Sequence, residues 1–331
     1  FGKDVFRSLL RNFKIKNAKK KIYEFNARQQ EKIEEKNPIK IAEESINFFS
    51  KIESLISDNI LFDLKMVVQE HKKLMDLRYQ GIMAGIPSGF SDLDHYLGQG
   101  LQRKDLIIIG ARPSVGKTSF SLTVAHNAAK LGNKVLFLSL EMDESEIFDR
   151  LLAFQTGMPV TAIIRGSVDK ERLQEGYQKI LQLPLTLLHL PKATSGDIFN
   201  IASRHKYERG LDLLVVDYLG YLSDEGDDEV SRLGRVSKHL KMTANVLNCA
   251  VIAPHQLSRK IERRAEGKKE VPLLSDLRDS GHIEQDADVV MFLNRNILDG
   301  DPSRTTLRIG KNRTGSTGML DLKFNVNTTQ F

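Results

Sequence analysis

A chain of 331 residues with 40% hydrophobic and 28% charged side chains has the composition of a globular protein of about two domains. No apolar run approaches the roughly 20 residues of a membrane-spanning helix, and a single cysteine, Cys249, excludes an internal disulfide and a cysteine-built zinc site. The net charge of +6 is uneven, with 17 Lys/Arg against 12 Asp/Glu over residues 1–80 and 32 against 31 over the rest. Cys249 opens the apolar stretch Cys249-Ala-Val-Ile252, so a buried thiol in a reduced, cytoplasmic protein is expected. The chain starts at Phe1 rather than Met, without a signal-peptide core, and is expected to be a fragment.

In chain order, the segment Lys3–Lys21 gathers eight basic residues against one acid, Asp4. It reads either as a polyanion-binding tail or as a solvated helix face. Residues 1–59 are expected to be a helical N-terminal region. Pro38 opens a helix there, with Ile39, Ala42, Ile46, Phe49, Ile52 and Ile56 at helical spacing. An amphipathic linker helix is expected over 60–80, carrying Leu61, Leu64, Val68, His71, Met75 and Arg78, with Gly81 as its C-cap. Both apolar stripes need partners, and packing within the chain is favoured over docking on a neighbouring subunit.

Beyond residue 81 short apolar runs alternate with helical patterns. Asp105–Gly110, Lys134–Leu140, Leu185–Leu190, Leu211–Asp217, Ala250–Ala253, Val289–Leu293 and Thr305–Ile309 read as buried strands. Helical segments such as Lys117–Leu131 and Ile198–Arg209 separate several of them. That grammar predicts an α/β unit over 81–331, with a mostly parallel central sheet covered on both faces.

Between the first strand and the first helix of this unit stands Gly110-Ala111-Arg112-Pro113-Ser114-Val115-Gly116-Lys117-Thr118-Ser119, which contains G-x-x-x-x-G-K-[ST]. Glycines let backbone N–H groups close around phosphates, and the helix N-terminus adds its dipole. Lys117 is expected to reach the β- and γ-phosphates of ATP, and the Thr118 hydroxyl to ligate Mg²⁺. Leu213-Leu-Val-Val-Asp217 supplies the acid for the magnesium shell at a strand's C-terminal end, whereas Asp212 falls at the wrong end. Glu141, ending another strand, reads either as the base that activates the attacking water or as an acid capping the next helix. Gly98-Gln-Gly100 lacks a third glycine and a preceding strand, so it does not make a dinucleotide site.

Ala111-Arg-Pro-Ser-Val-Gly-Lys-Thr118, Ser139-Leu-Glu-Met142, Val216-Asp-Tyr-Leu219, His255-Gln-Leu-Ser-Arg259 and the run Leu274–Asp288 together resemble the ordered motifs of DnaB-type replicative helicases. The resemblance covers 81–331 nearly throughout. It implies a RecA-like P-loop NTPase preceded by linker helices, in a homohexameric ring that encircles single-stranded DNA and unwinds forked duplex DNA 5′→3′ using ATP. It also implies a primase and a helicase loader as partners. The collar that precedes the linker in this family looks truncated or divergent here.

The resemblance assigns Glu141 as catalytic base, Arg150 as an arginine packed on the nucleotide base, and Gln256 as a sensor between γ-phosphate and DNA loops. Lys311 and Arg313 match a basic pair that reaches the adjacent subunit's ATP. Contact with DNA is expected from the segment Ser258–Gly281, through Arg259, Lys260 and Arg278 and the backbone near Asp279 and Gly281. His255 departs from the usual serine, and Asp279 from a frequent glutamate. The acidic run Asp224–Glu229 would repel phosphates and is not expected to touch DNA. Two rivals share the nucleotide core: a RecA/RadA-type recombinase and a regulatory ring-forming ATP-binding module. The run Ser275–Asp288 disfavours the first, and retention of Glu141, Lys311 and Arg313 disfavours the second.

Overall fold

The computed structural model describes residues 24, 25, 44, 48, 64–80, 85–257, 272–274, 276, 277, 281–295, 301 and 303–331. The chain divides into two units, residues 1–76 and 77–331. In the first, Phe25 and Phe48 stack with ring centroids 4.0 Å apart. The basic run Lys3–Lys21 and most of the helix expected after Pro38 lie outside the described residues. Helix α1, Leu64–Tyr79, occupies the place of the expected linker helix. Its Leu64, Val67 and Val68 are exposed and its Met75 is half-buried.

The second unit contains an eight-stranded sheet: β1 (Leu106–Ala111), β2 (Val135–Ser139), β3 (Leu185–His189), β4 (Leu213–Asp217), β5 (Ala250–Gln256), β6 (Val289–Asn294), β7 (Arg304–Asn312) and β8 (Gly318–Lys323). Their order across the sheet is β3-β2-β4-β5-β1-β6-β7-β8. The first six are parallel, and the last two return antiparallel as a hairpin. All seven expected strands are present, and β8 is additional. Along the chain run helices α2 (Ser91–Tyr96), α3 (Lys117–Lys130), α4 (Glu144–Thr156), α5 (Val160–Ile164), α6 (Lys170–Leu181), α7 (Ser195–Arg209), α8 (Glu229–Leu247) and α9 (Gly281–Asp286).

Alternation along the central strands divides the core in two. Ile107, Ile109, Val135, Phe137, Val215, Ile252 and Met291 pack with Phe120, Val124 and Leu151 of α3 and α4. Ile108, Leu138, Val216, Val251 and Phe292 pack with Ile198, Val236 and Leu240 of α7 and α8. With both faces covered, β1, β2 and β4 are buried at every position, which is why they read as unbroken apolar runs. Cys249 is buried there too, and burial pushes its thiol up to about 12. No helix among the described residues is long and apolar enough to cross a membrane.

Candidate active site

Parallel strands bring their C-terminal residues to one edge of the sheet, and the expected chemistry gathers there. β1 ends at Gly110 and Ala111, and Arg112 to Gly116 lead into α3. Ser114 and Gly116 adopt φ of 63° and 110°, left-handed turns of the kind that converge backbone N–H groups on an anion. The φ of Gly116 calls for glycine, and a Cβ there would also crowd the Phe331 ring at 3.1 Å. Val115, Lys117 and Ser119 are buried. The free N–H groups of the first turn of α3 point at the same loop. Lys117 Nζ sits 4.4 Å from the centroid of the Tyr218 ring.

The β2–β4 register sets Ser139 opposite Asp217, which brings the two acid-bearing strand ends together. The Thr118 hydroxyl stands close enough to favour the charged Asp217 carboxylate, whose Oδ1 is buried without a partner. Burial raises the Asp217 carboxyl to about 6, against the pull of Thr118 and Lys117 and with added repulsion from Glu141. Among the described residues no group of three or more His, Cys, Asp or Glu could hold a metal alone. A hydroxyl and a carboxylate with an open oxygen instead fit Mg²⁺, which keeps waters and takes other ligands from phosphates.

Glu141 is exposed just past β2, close enough to act electrostatically on both Asp217 and Tyr218. Gln256 is the last residue of β5 and lies opposite Ala111, beside the phosphate loop. Its neighbour His255 is held neutral, pushed down to about 4 by burial and by Lys117. Arg150, on α4, donates from Nη1 to Ser119 Oγ at 2.9 Å, and its charge acts on Asp217. It is thus anchored to the first turn of α3, within electrostatic reach of Asp217.

Lys311 and Arg313 occur at the opposite edge. Asn312 of β7 pairs with Val289 at the start of β6, which lies alongside the start of β1. Arg313 donates to Asp288 Oδ1 at 3.2 Å and to the Gln285 carbonyl at 2.8 Å, and Lys311 donates to the Glu284 carbonyl at 2.5 Å. At about 3.3 Å per residue, β1 puts about 17 Å between this edge and the phosphate loop of the same subunit.

Of the expected DNA contacts, Arg259, Lys260, Arg278 and Asp279 lie outside the described residues, and Gly281 opens α9. The acidic run has structural uses: Asp224 accepts from Ser195 N at 2.8 Å, and Asp228 caps α8 through Ser231 N at 2.7 Å.

A cluster beside the phosphate loop escaped the sequence reading. Arg295, just past β6, donates to the Ser114 carbonyl at 2.7 Å and stacks 4.3 Å over Phe324. Phe331 packs against Phe324 and edge-on to Phe120. An open cavity of about 370 Å³ is lined by Ser303, Lys323, Phe324, Asn325, Gln330 and Phe331. Arg295 was legible, since it follows a parallel strand at the ligand-binding edge. Phe331 carried no local signal.

The DnaB-like helicase C terminal domain family matches residues 85–331. The chain is 36% identical over 255 residues to the replicative DNA helicase DnaB of Geobacillus stearothermophilus, covering 74% of this chain and 55% of that protein. It is 36% identical over 252 residues to a probable plasmid replicative DNA helicase of Chlamydia muridarum, covering 75% and 54%. It thus spans little more than half the length of these relatives. Among solved structures, one ATPase domain superposes with TM-score 0.75 at 29% identity, covering 83% of this chain and 99% of that one. A DnaB-like replicative helicase studied with primase superposes with TM-score 0.80 at 27% identity, covering 98% and 77%. The family match over most of the chain shows the kinship, and the chain belongs to the DnaB-like helicase family.

Proposed function

We propose that this chain is the motor of an ATP-dependent replicative DNA helicase whose catalytic site is completed by a neighbouring subunit. One observation carries the reading: Lys311 and Arg313 project from the sheet edge opposite the phosphate loop, so they serve a second copy's nucleotide. Lys117 and the loop N–H groups bind the phosphates of ATP, and Glu141 orients the attacking water and takes its proton. Thr118 and Asp217 hold Mg²⁺, which when bound neutralises charge on the phosphates. Arg150 steadies the start of α3 through Ser119. The nucleotide base falls to the Arg295, Phe324 and Phe331 cluster, an alternative to the base-packing role expected of Arg150. Gln256 couples the γ-phosphate to the DNA-contacting segment, with Arg259, Lys260, Arg278, Asp279 and Gly281 as its candidate contacts.

The working form is a homohexamer on single-stranded DNA, moving 5′→3′, with a primase and a loader as partners. A forked duplex with a free 5′ tail tests this directly. Strand separation is expected with ATP and none with a non-hydrolysable analogue. ATPase activity stimulated by single strands but without separation under any tail polarity would instead favour the recombinase reading.

A further inference from the structure

We infer that Asp288 is a positioning residue for Arg313, holding the cation in the pose in which a neighbouring subunit's nucleotide meets it. The inference rests on the trans reading of Arg313 and adds the device that aims it. Asp288 is buried, and its carboxylate is fixed from three sides. Leu106 N donates to Oδ2 at 2.8 Å, Lys241 Nζ donates to Oδ2 at 2.5 Å, and Arg313 Nη1 donates to Oδ1 at 3.2 Å. The backbones are also linked: Asp288 N donates to the Leu106 carbonyl at 2.9 Å and Arg313 N to the Asp288 carbonyl at 3.0 Å.

Arg313 is thereby held at two separate points. Nη1 meets Asp288, and Nη2 meets the Gln285 carbonyl at 2.8 Å, near the end of α9 where backbone carbonyls carry partial negative charge. Two acceptors on different atoms fix the plane of a guanidinium, which a single ion pair does not. Only part of its donor set is used, and its side chain is half exposed, so N–H groups remain for a ligand outside. Lys311 is gripped by the same helix end, through the Glu284 and Gln285 carbonyls. Because Asp288 is bonded to the first residue of β1, one strand connects a subunit's own phosphate loop to the cation it lends its neighbour. Donors aimed before reaction lower the reorganisation needed as charge develops on the transferring phosphoryl.

The test uses the full chain assembled on single-stranded DNA. Asp288→Asn keeps the shape and removes the charge. ATP turnover at saturation is expected to fall at least tenfold, with affinity for a fluorescent ATP analogue within twofold of the parent. Mixing with Lys117→Ala subunits, which retain Arg313, should restore turnover at the nucleotide sites of Asp288→Asn subunits. Arg313→Ala, alone and mixed likewise with Lys117→Ala, is the control. If Arg313→Ala alone hydrolyses ATP at the parent rate, the trans reading itself is wrong. If that control behaves but Asp288→Asn turns over normally, or is not rescued by mixing, the positioning role is overturned. Should Asp288→Asn fail to assemble, Asp288→Glu, mixed likewise with Lys117→Ala, decides, because it keeps the charge while displacing the carboxylate from the guanidinium. A tenfold loss supports the role, and parent-rate turnover overturns it.

Discussion

Glu141 and Arg313 illustrate how little a residue's identity says without its address. Both are charged groups past strand ends, yet one stands beside Asp217 at the nucleotide edge and the other at the far edge. Glu141→Gln should lower ATP turnover by about 10²–10⁴-fold, the usual range for losing a general base, while a fluorescent analogue still binds. Arg295→Ala should act differently, because its contacts with Ser114 and Phe324 set it against the phosphate loop, where the proposed nucleotide base would lie, and away from Glu141 and Asp217. It is expected to raise KM for ATP several-fold with kcat nearly unchanged, the signature of lost uniform binding. Steady-state kinetics on the two variants separates these outcomes.

At the scale of elements, the helices that frame the site are held by local chemistry in their first turns. Thr194 caps α7 in a reciprocal box, its hydroxyl accepting from Asp197 N while Asp197 accepts from Thr194 N at 2.8 Å. Asp224 accepts from Ser195 N at the head of the same helix, so part of the acidic run 224–229 is spent on folding. Thr194→Ala should cost about 1 kcal/mol, read as a lower urea midpoint with an unchanged m-value. The hairpin β7–β8 shows why one strand went unread. Leu320 and Leu322 are buried while Met319 and Asp321 point outward, so β8 alternates where the central strands run continuously apolar. One face of β8 is in water, so its apolar residues come only at every second position and its signal is correspondingly weak.

Across the whole molecule, burial of ionisable groups sets how stability responds to pH, and two residues push in opposite directions. His126 is buried against Phe154, and burial lowers its imidazole to about 4. Above about pH 6.5 it is neutral folded or unfolded. As pH falls from there towards 4 only the unfolded chain takes the proton, so folded stability drops by up to about 1.4 kcal/mol per pH unit. His126→Leu should therefore stabilise the protein, and the gain should grow on acidification. Asp105 behaves inversely, since burial and the neighbouring Asp288 raise its carboxyl to about 6. Its charged form penalises the fold above that value, and the penalty fades as pH falls towards the ordinary carboxylate range. Asp105→Asn should stabilise at pH 8 and lose its advantage by pH 4. Chemical denaturation of both variants at pH 4, 6 and 8 gives the two slopes.

The sequence by itself determined the phosphate loop, the acid at the end of β4, the seven apolar strands and the βα alternation, because each is written in contiguous residues whose spacing is dictated by backbone geometry. It also carried the family resemblance, whose motifs fall within the 85–331 region that the family matches. Tertiary structure alone decided the rest. Strand order brought Gln256 beside Ala111, hairpin reversal sent Lys311 and Arg313 to the far edge, and packing set Phe331 against Gly116. Those pairs are separated by up to 215 residues in the chain, and no local propensity or period records which strand will lie beside which. Adjacency of that kind is fixed by the burial of two apolar sheet faces at once, a condition only the folded chain as a whole can satisfy.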